Sequence, residues 1–165
     1  MATRRVEFTL VTKADLDPSS PLSGAIRAAF DLAFVWGSGT ADNKVNAGPY
    51  RASVSIATAS NTDIDLKSVT DPEGTAIDAD EFALLLVYNP PSNDGDLTIK
   101  PSSSSGWPFL AGTTPAYAIP PGGLFLITSP QAGEGVAIGA STDNINLANG
   151  GTGTVIAEVL FVGRT

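Results

Sequence analysis

The chain has neither cysteine nor histidine among its 165 residues. The first absence excludes disulfides, zinc–thiolate sites and thiol nucleophiles. The second removes the commonest general base and metal ligand, and with it any Ser/His/Asp triad. Positive charge is scarce too, with nine Lys and Arg against seventeen Asp and Glu for a net charge of −8. Only Arg4 and Arg5 are adjacent, so no basic face is available to neutralise phosphates and no nucleic-acid partner is expected. No apolar run approaches a membrane span, and the first five residues lead into a polar alternating strand, not a signal-peptide stretch. The expectation is a soluble, acidic protein with no membrane partner, whose mature form begins here.

What the sequence does contain is short apolar runs separated by turn residues. Val6, Phe8 and Leu10 alternate with Arg5, Glu7 and Thr9, the period of a half-buried strand. Phe30, Leu32, Phe34 and Trp36 repeat that period, as do Ala52, Val54 and Ile56 against Ser53 and Ser55. Between the first two strands, Lys13 to Pro21 is polar and proline-bearing, and residues 22–29 read either as a short helix with Leu22, Ile26 and Ala29 on one face or as loop. Further strands are expected at Ile64 and Leu66, Phe82–Tyr88, Leu97–Lys100, Leu124–Thr128, Val136–Ile138, Ile145–Leu147 and Thr154–Val162, with a proline turn at Asp71–Gly74. The chain is predicted to be one domain over 1–165, all-β, an antiparallel jelly-roll-like β-sandwich with a loop-rich N-terminal third. Residues 1–49 would supply the first strand, an extended arm and loops, and residues 50–165 the sandwich. A chain of this size buries roughly 70% of its unfolded surface and needs no disulfide or metal to be stable.

Three strands are apolar on both sides, although a sandwich strand ordinarily shows one face to water. By strict alternation Phe82, Leu84, Leu86 and Tyr88 oppose Ala83, Leu85 and Val87. Val155, Ala157, Val159 and Phe161 oppose Ile156, Glu158, Leu160 and Val162, and Leu124 and Leu126 oppose Phe125 and Ile127. Contiguous apolar surface of this kind marks an interaction site when left wet. Either loops from the first third cover these faces, or sister subunits do, and self-association is expected.

Candidate chemistry is thin. Asp78, Asp80 and Glu81 form a carboxylate cluster of the type a glycosidase needs, but they also read as a solvated strand entry. Asp63 and Asp65 fall on an outer face. Asn93, Asp94, Gly95 and Asp96 cluster oxygens on a glycine turn, which suits calcium, but they lack the EF-hand spacing and read first as a turn. Gly150 to Gly153 mimics a phosphate loop without the helix that must follow, and is expected to be a hairpin connection. Trp107, Phe109 and Tyr117 could stack on a sugar ring, or Trp107 and Phe109 could fix a crossing loop to the core. No catalytic, cofactor-binding or metal-ligating residue is expected, and no enzyme activity.

The order of these pieces is familiar. Trp36 to Lys44 leads into the Tyr50–Thr58 strand and then Thr62–Leu66. Asp71–Thr75, the Phe82–Asn89 strand, the Ile119-Pro-Pro-Gly-Gly corner and Asn146–Gly151 follow before the apolar terminal strand. The arrangement beyond Trp36 resembles small tailed-bacteriophage virion proteins, in particular capsid cement or decoration proteins with jelly-roll folds. That resemblance implies a structural protein on the outer capsid surface, bridging neighbouring major capsid protein subunits as a homodimer or homotrimer. It brings no catalytic residues with it. A carbohydrate- or receptor-binding sandwich of a phage tail or fibre is the alternative.

Overall fold

The computed structural model describes residues 6–12, 30–38, 44–110, 115–129, 131–133 and 136–165. The arm at 13–21 and the candidate helix at 22–29 lie outside these residues. Among the described residues every regular element is a strand. In chain order these are β1 (Val6–Thr12), β2 (Phe30–Ser38), β3 (Lys44–Val45), β4 (Ala47–Ile56), β5 (Asn61–Asp65) and β6 (Glu81–Tyr88). β7 (Leu97–Pro101), β8 (Tyr117–Ile119), β9 (Leu124–Thr128), β10 (Asn144–Asn149) and β11 (Val155–Arg164) complete them.

The last eight form two four-stranded sheets, ordered β4-β11-β6-β9 and β5-β10-β7-β8. Their pairings nest: β4 with β11, β5 with β10, β6 with β9 and β7 with β8, all antiparallel. A long hairpin with nested pairs, rolled so that successive pairs pass to opposite sheets, is a jelly roll. Rolling adds the β11–β6 and β10–β7 pairings that knit each sheet across its centre. The predicted antiparallel jelly-roll sandwich is therefore the observed fold. A third sheet, β1-β2-β3, has β1 antiparallel and β3 parallel to β2.

Alternation places the core. Ile56, Ile64, Leu97, Ile99, Ile119, Ile145, Leu147, Val155, Ala157, Val159 and Phe161 all point between the sheets and are buried. Each fully buried Leu, Ile or Phe is worth about 1.5–3 kcal/mol relative to exposure. Turns are set by local chemistry. Asp71 Oδ1 accepts from the Glu73 and Thr75 amides, and Gly74 takes the φ of +83° that closes the turn. The Pro-Pro-Gly-Gly corner carries β8 into β9 across the sheets, with Gly122 at φ +80° donating to Asn89 O at 2.7 Å.

Three expectations are corrected. Strict alternation groups Phe82 with Leu84, Leu86 and Tyr88, yet Phe82 packs in the main core with Leu85 and Val87. The cause is a β-bulge: Val162 pairs with Leu84 and Gly163 with Phe82, so Ala83 is an extra residue that shifts the phase. Gly163 is required there, because a Cβ would lie 2.6 Å from Ala79 Cβ and 2.8 Å from Glu81 O. Val136–Ile138 is not a strand among the described residues: it makes an isolated bridge, Glu81 to Ala137, and the Ile138 amide donates to Asp80 O. The Gly150–Gly153 segment joins β10 to β11, which lie in different sheets, so it is a crossover and not a hairpin.

Candidate functional site

The acidic residues that could have formed a catalytic pair are engaged in structure. Lys67 Nζ lies 2.9 Å from Asp78 Oδ1 and 2.7 Å from Asp80 Oδ1, and donates to Ala79 O at 3.2 Å. Hydrogen bonds donated to these two carboxylates, Asp80 first, hold the Lys67 ammonium above its ordinary pKa. Glu81 faces the other way, 3.3 Å from the buried Arg164 guanidinium, and accepts from the Gly133 amide. Arg164 also donates to Ser129 O at 2.6 Å and Phe82 O at 3.3 Å, which ties the terminal strand to β6 and to the end of β9. Asp63 accepts from Asn146 Nδ2 at 2.7 Å and Ser102 Oγ at 2.9 Å on the outer face of the second sheet. Asp65 caps the turn after β5 through the amides of Lys67 and Ser68. Each carboxylate thus has a local mechanical role.

The calcium candidate and the glycine loop prove to be one structure. Asn93 is buried, and its side chain bonds both backbone groups of Ile156 instead of facing a cation site. Gly95 packs on Gly151 so closely that a Cβ would meet Gly151 Cα at 2.2 Å. The Asp94 carboxylate lies across the glycines, with Thr152 Oγ1 donating to it at 3.2 Å. Thus the loop that mimics a phosphate cradle holds a carboxylate of its own chain. Asn89 donates to Ile119 O and Gly95 O, and Asn149 to Ile56 O and Gly153 O. These buried asparagines staple crossovers at this end of the roll, through partners too far along the chain for a local pattern to show. Among the described residues no group of three or more carboxylate, histidine or cysteine side chains is arranged to hold a metal.

The aromatic candidates split. Trp107 is 0% exposed, its indole N–H donates to Ala137 O at 3.0 Å, and Phe82 meets it edge-on at 5.0 Å. Phe109 stacks on it at 5.0 Å, and Phe125 links Phe109 to Tyr117. Tyr117, 47% exposed, is the most open member of this ladder, while Phe109 is half-buried. Trp107 is a core residue holding the 101–110 crossing loop, and its ring offers no platform to a sugar.

What stands open is the outer face of the β4-β11-β6-β9 sheet. At one end Val45 of β3 closes over Ala83, Leu84 and Val162, all buried. Leu86, Leu126 and Leu160 continue that cluster and are half-buried. Beyond them Leu124 and Ile156 are 40% and 42% exposed. A groove of about 820 Å³ runs here over Leu86, Tyr88, Leu124 and Leu160, with Arg51 and Glu158 along its wall. Glu158 accepts a hydrogen bond from the Ser53 hydroxyl across the strand pair. An apolar floor with a polar margin has the anatomy of a protein-binding patch. Val45 therefore packs on one end of the doubly apolar strands, while Leu124 and Ile156 of the same face stay exposed. No protein-family model matches the chain, and no curated protein sequence matches it.

Proposed function

We propose that the chain is a structural virion protein that binds the outer surface of a phage capsid and stabilises it by bridging neighbouring capsid subunits. The observation that carries this reading is the half-covered apolar face of the β4-β11-β6-β9 sheet. It is a surface built for a protein neighbour, on a sandwich whose acidic clusters are already engaged in its own structure. The tight asparagine and glycine staples suit a rigid clamp, and multiple copies on a shell would turn modest contacts into firm binding. The arrangement of elements beyond Trp36, similar to that of capsid cement proteins, supports the same role.

Cryo-electron microscopy of capsids assembled with and without the protein tests this. Added density at many symmetry-related positions between capsid subunits is the expected outcome, together with greater resistance of the shell to heat. Density confined to a tail or fibre would support the receptor-binding alternative, for which exposed Tyr117 is the remaining aromatic contact. That alternative also requires sugar to alter aromatic fluorescence. With the Trp107 ring sealed, no quenching of a Trp36→Phe variant by sugars is expected.

A further inference from the structure

The outer face of the β5-β10-β7-β8 sheet holds a buried oxygen with no partner. Ile145 and Leu147 of β10 turn into the core, so alternation points Asn144 and Asn146 outward. Asn146 lies opposite Asp63 of β5 on one side and Lys100 of β7 on the other, and directly opposed residues share a face. Only 5% of Asn146 is exposed. Its Nδ2 donates toward β5 twice, to Asn61 Oδ1 at 2.9 Å and Asp63 Oδ1 at 2.7 Å. The opposite amide orientation would set an oxygen against the Asp63 carboxylate, so these bonds fix the one observed. Asn146 Oδ1 therefore faces away from β5, toward β7, buried and with no hydrogen-bond partner among the described residues. Asn144 Oδ1, on the same face, is buried and unpartnered as well.

A buried acceptor left dry is costly and uncommon in a folded protein. The groups around this one say what would satisfy it. Asp63 already accepts from Asn146 and from Ser102 Oγ. Lys100 is half-buried, sits on the side to which the oxygen points, and forms no ion pair among the described residues. Its flexible stem can yield to a ligand and leave the ammonium beside it. One carboxylate and one ammonium flank Asn146, so an anion would meet Asp63 and a cation would meet Lys100. A hydroxyl group both donates and accepts, and neighbouring hydroxyls do so at adjacent points. We propose that this face binds a neutral polyhydroxylated ligand, a saccharide. Asn146 Oδ1 accepts from one ring hydroxyl, the Lys100 ammonium donates to the next, and Asn144 Oδ1 extends the row of acceptors. The site is on the sheet opposite the apolar groove and stands whether or not the chain binds a capsid.

The outward positions of these four strands carry no aromatic ring, so fluorescence is blind to this site and NMR is the readout. Isotope-labelled full-length protein is titrated with glucose, galactose, mannose and N-acetylglucosamine at millimolar concentrations, and separately with inorganic phosphate. At least one sugar should shift the side-chain amide signals of Asn146 and Asn61 and the backbone signal of Lys100. Lys100→Met keeps the stem and removes the donor, so its melting temperature should be unchanged and the sugar-induced shifts lost. Asn146→Ala should lose them too, and if that variant fails to fold, Lys100→Met decides alone. Signals unmoved by every sugar would overturn the inference, because the oxygens would then serve bound water only. So would shifts with phosphate alone, or sugar shifts that persist in Lys100→Met. Capsid binding by Lys100→Met is scored separately and is expected to be intact, so the saccharide site and the capsid role can fail independently.

Discussion

The side chain of Asn93 bonds both backbone groups of Ile156, accepting from its N–H at 3.0 Å and donating to its C=O at 2.7 Å. It does for β11 what a further residue of a paired strand would do, at the point where β6 has ended. The same amide also donates to Asn89 Oδ1, so two crossovers and a sheet edge share one buried network. Asn93→Ala leaves Ile156's polar groups unpaired, at a cost of about 1–3 kcal/mol for each group left dry. Asn93→Asp should fare no better, since a carboxylate cannot donate to Ile156 O. Urea midpoints of the two variants measure this. Wild-type stability in Asn93→Ala would show that water replaces the side chain fully.

The glycine contacts predict an ordered series. Gly95→Ala places a Cβ 2.2 Å from the Gly151 backbone, which cannot move without shifting the crossover. Gly153→Ala meets Asp94 Oδ2 at 2.7 Å, the end of a side chain that can swing away. Gly95→Ala should therefore be the more destabilising, by about 1–3 kcal/mol as for other overpacked sites. Adding Asp94→Ala should rescue Gly153→Ala and leave Gly95→Ala unrescued. Equal rescue of both in a double-mutant cycle would contradict the backbone-on-backbone contact.

Why some of this was legible in sequence and some was not follows from distance along the chain. The inward set Val155, Ala157, Val159 and Phe161 is written in the period of one strand, so it could be read from β11 alone. Phe82 could not be placed, because the bulge that re-aims it depends on Gly163 in another strand. Asn93 finds its partner 63 residues away and Asn149 one of its partners 93 residues away, spacings that no local pattern encodes. Gly150–Gly153 was recognisable as a connection between strands, but it reads locally as a hairpin and not as the crossover it forms. What approaches it, Asp94, lies 58 residues from Thr152 and belonged to a separate candidate site. The doubly apolar strands were visible in sequence, but how far Val45 covers them required the sheet order.

Two titrating groups near one turn each make stability fall as pH rises, Asp143 in the acid range and Lys67 in the alkaline range. Asp143 is buried, and burial raises its carboxyl above the ordinary 3.8, with the Asp65 charge adding to the effect. The folded state then binds this proton more tightly than the unfolded chain, so stability falls as pH rises from 3.8 through the raised value. At neutral pH that loss is complete. Asp143→Asn should therefore stabilise at about pH 7 and lose its advantage at about pH 3, where both states are protonated. Lys67 acts in the same direction in a separate, alkaline range, but there it is the charged form that stabilises. Its pKa is raised by Asp80 and Asp78, so its contribution is whole below the unfolded 10.5 and is lost as pH climbs through the folded value. Lys67→Met should thus weaken the protein at neutral pH and flatten its alkaline unfolding. Denaturant midpoints across pH separate the two, because each variant removes one limb of the profile. A destabilised Asp143→Asn at both ends of the range would mean that the carboxylate holds the turn after β5, and that its burial is tolerated for that reason.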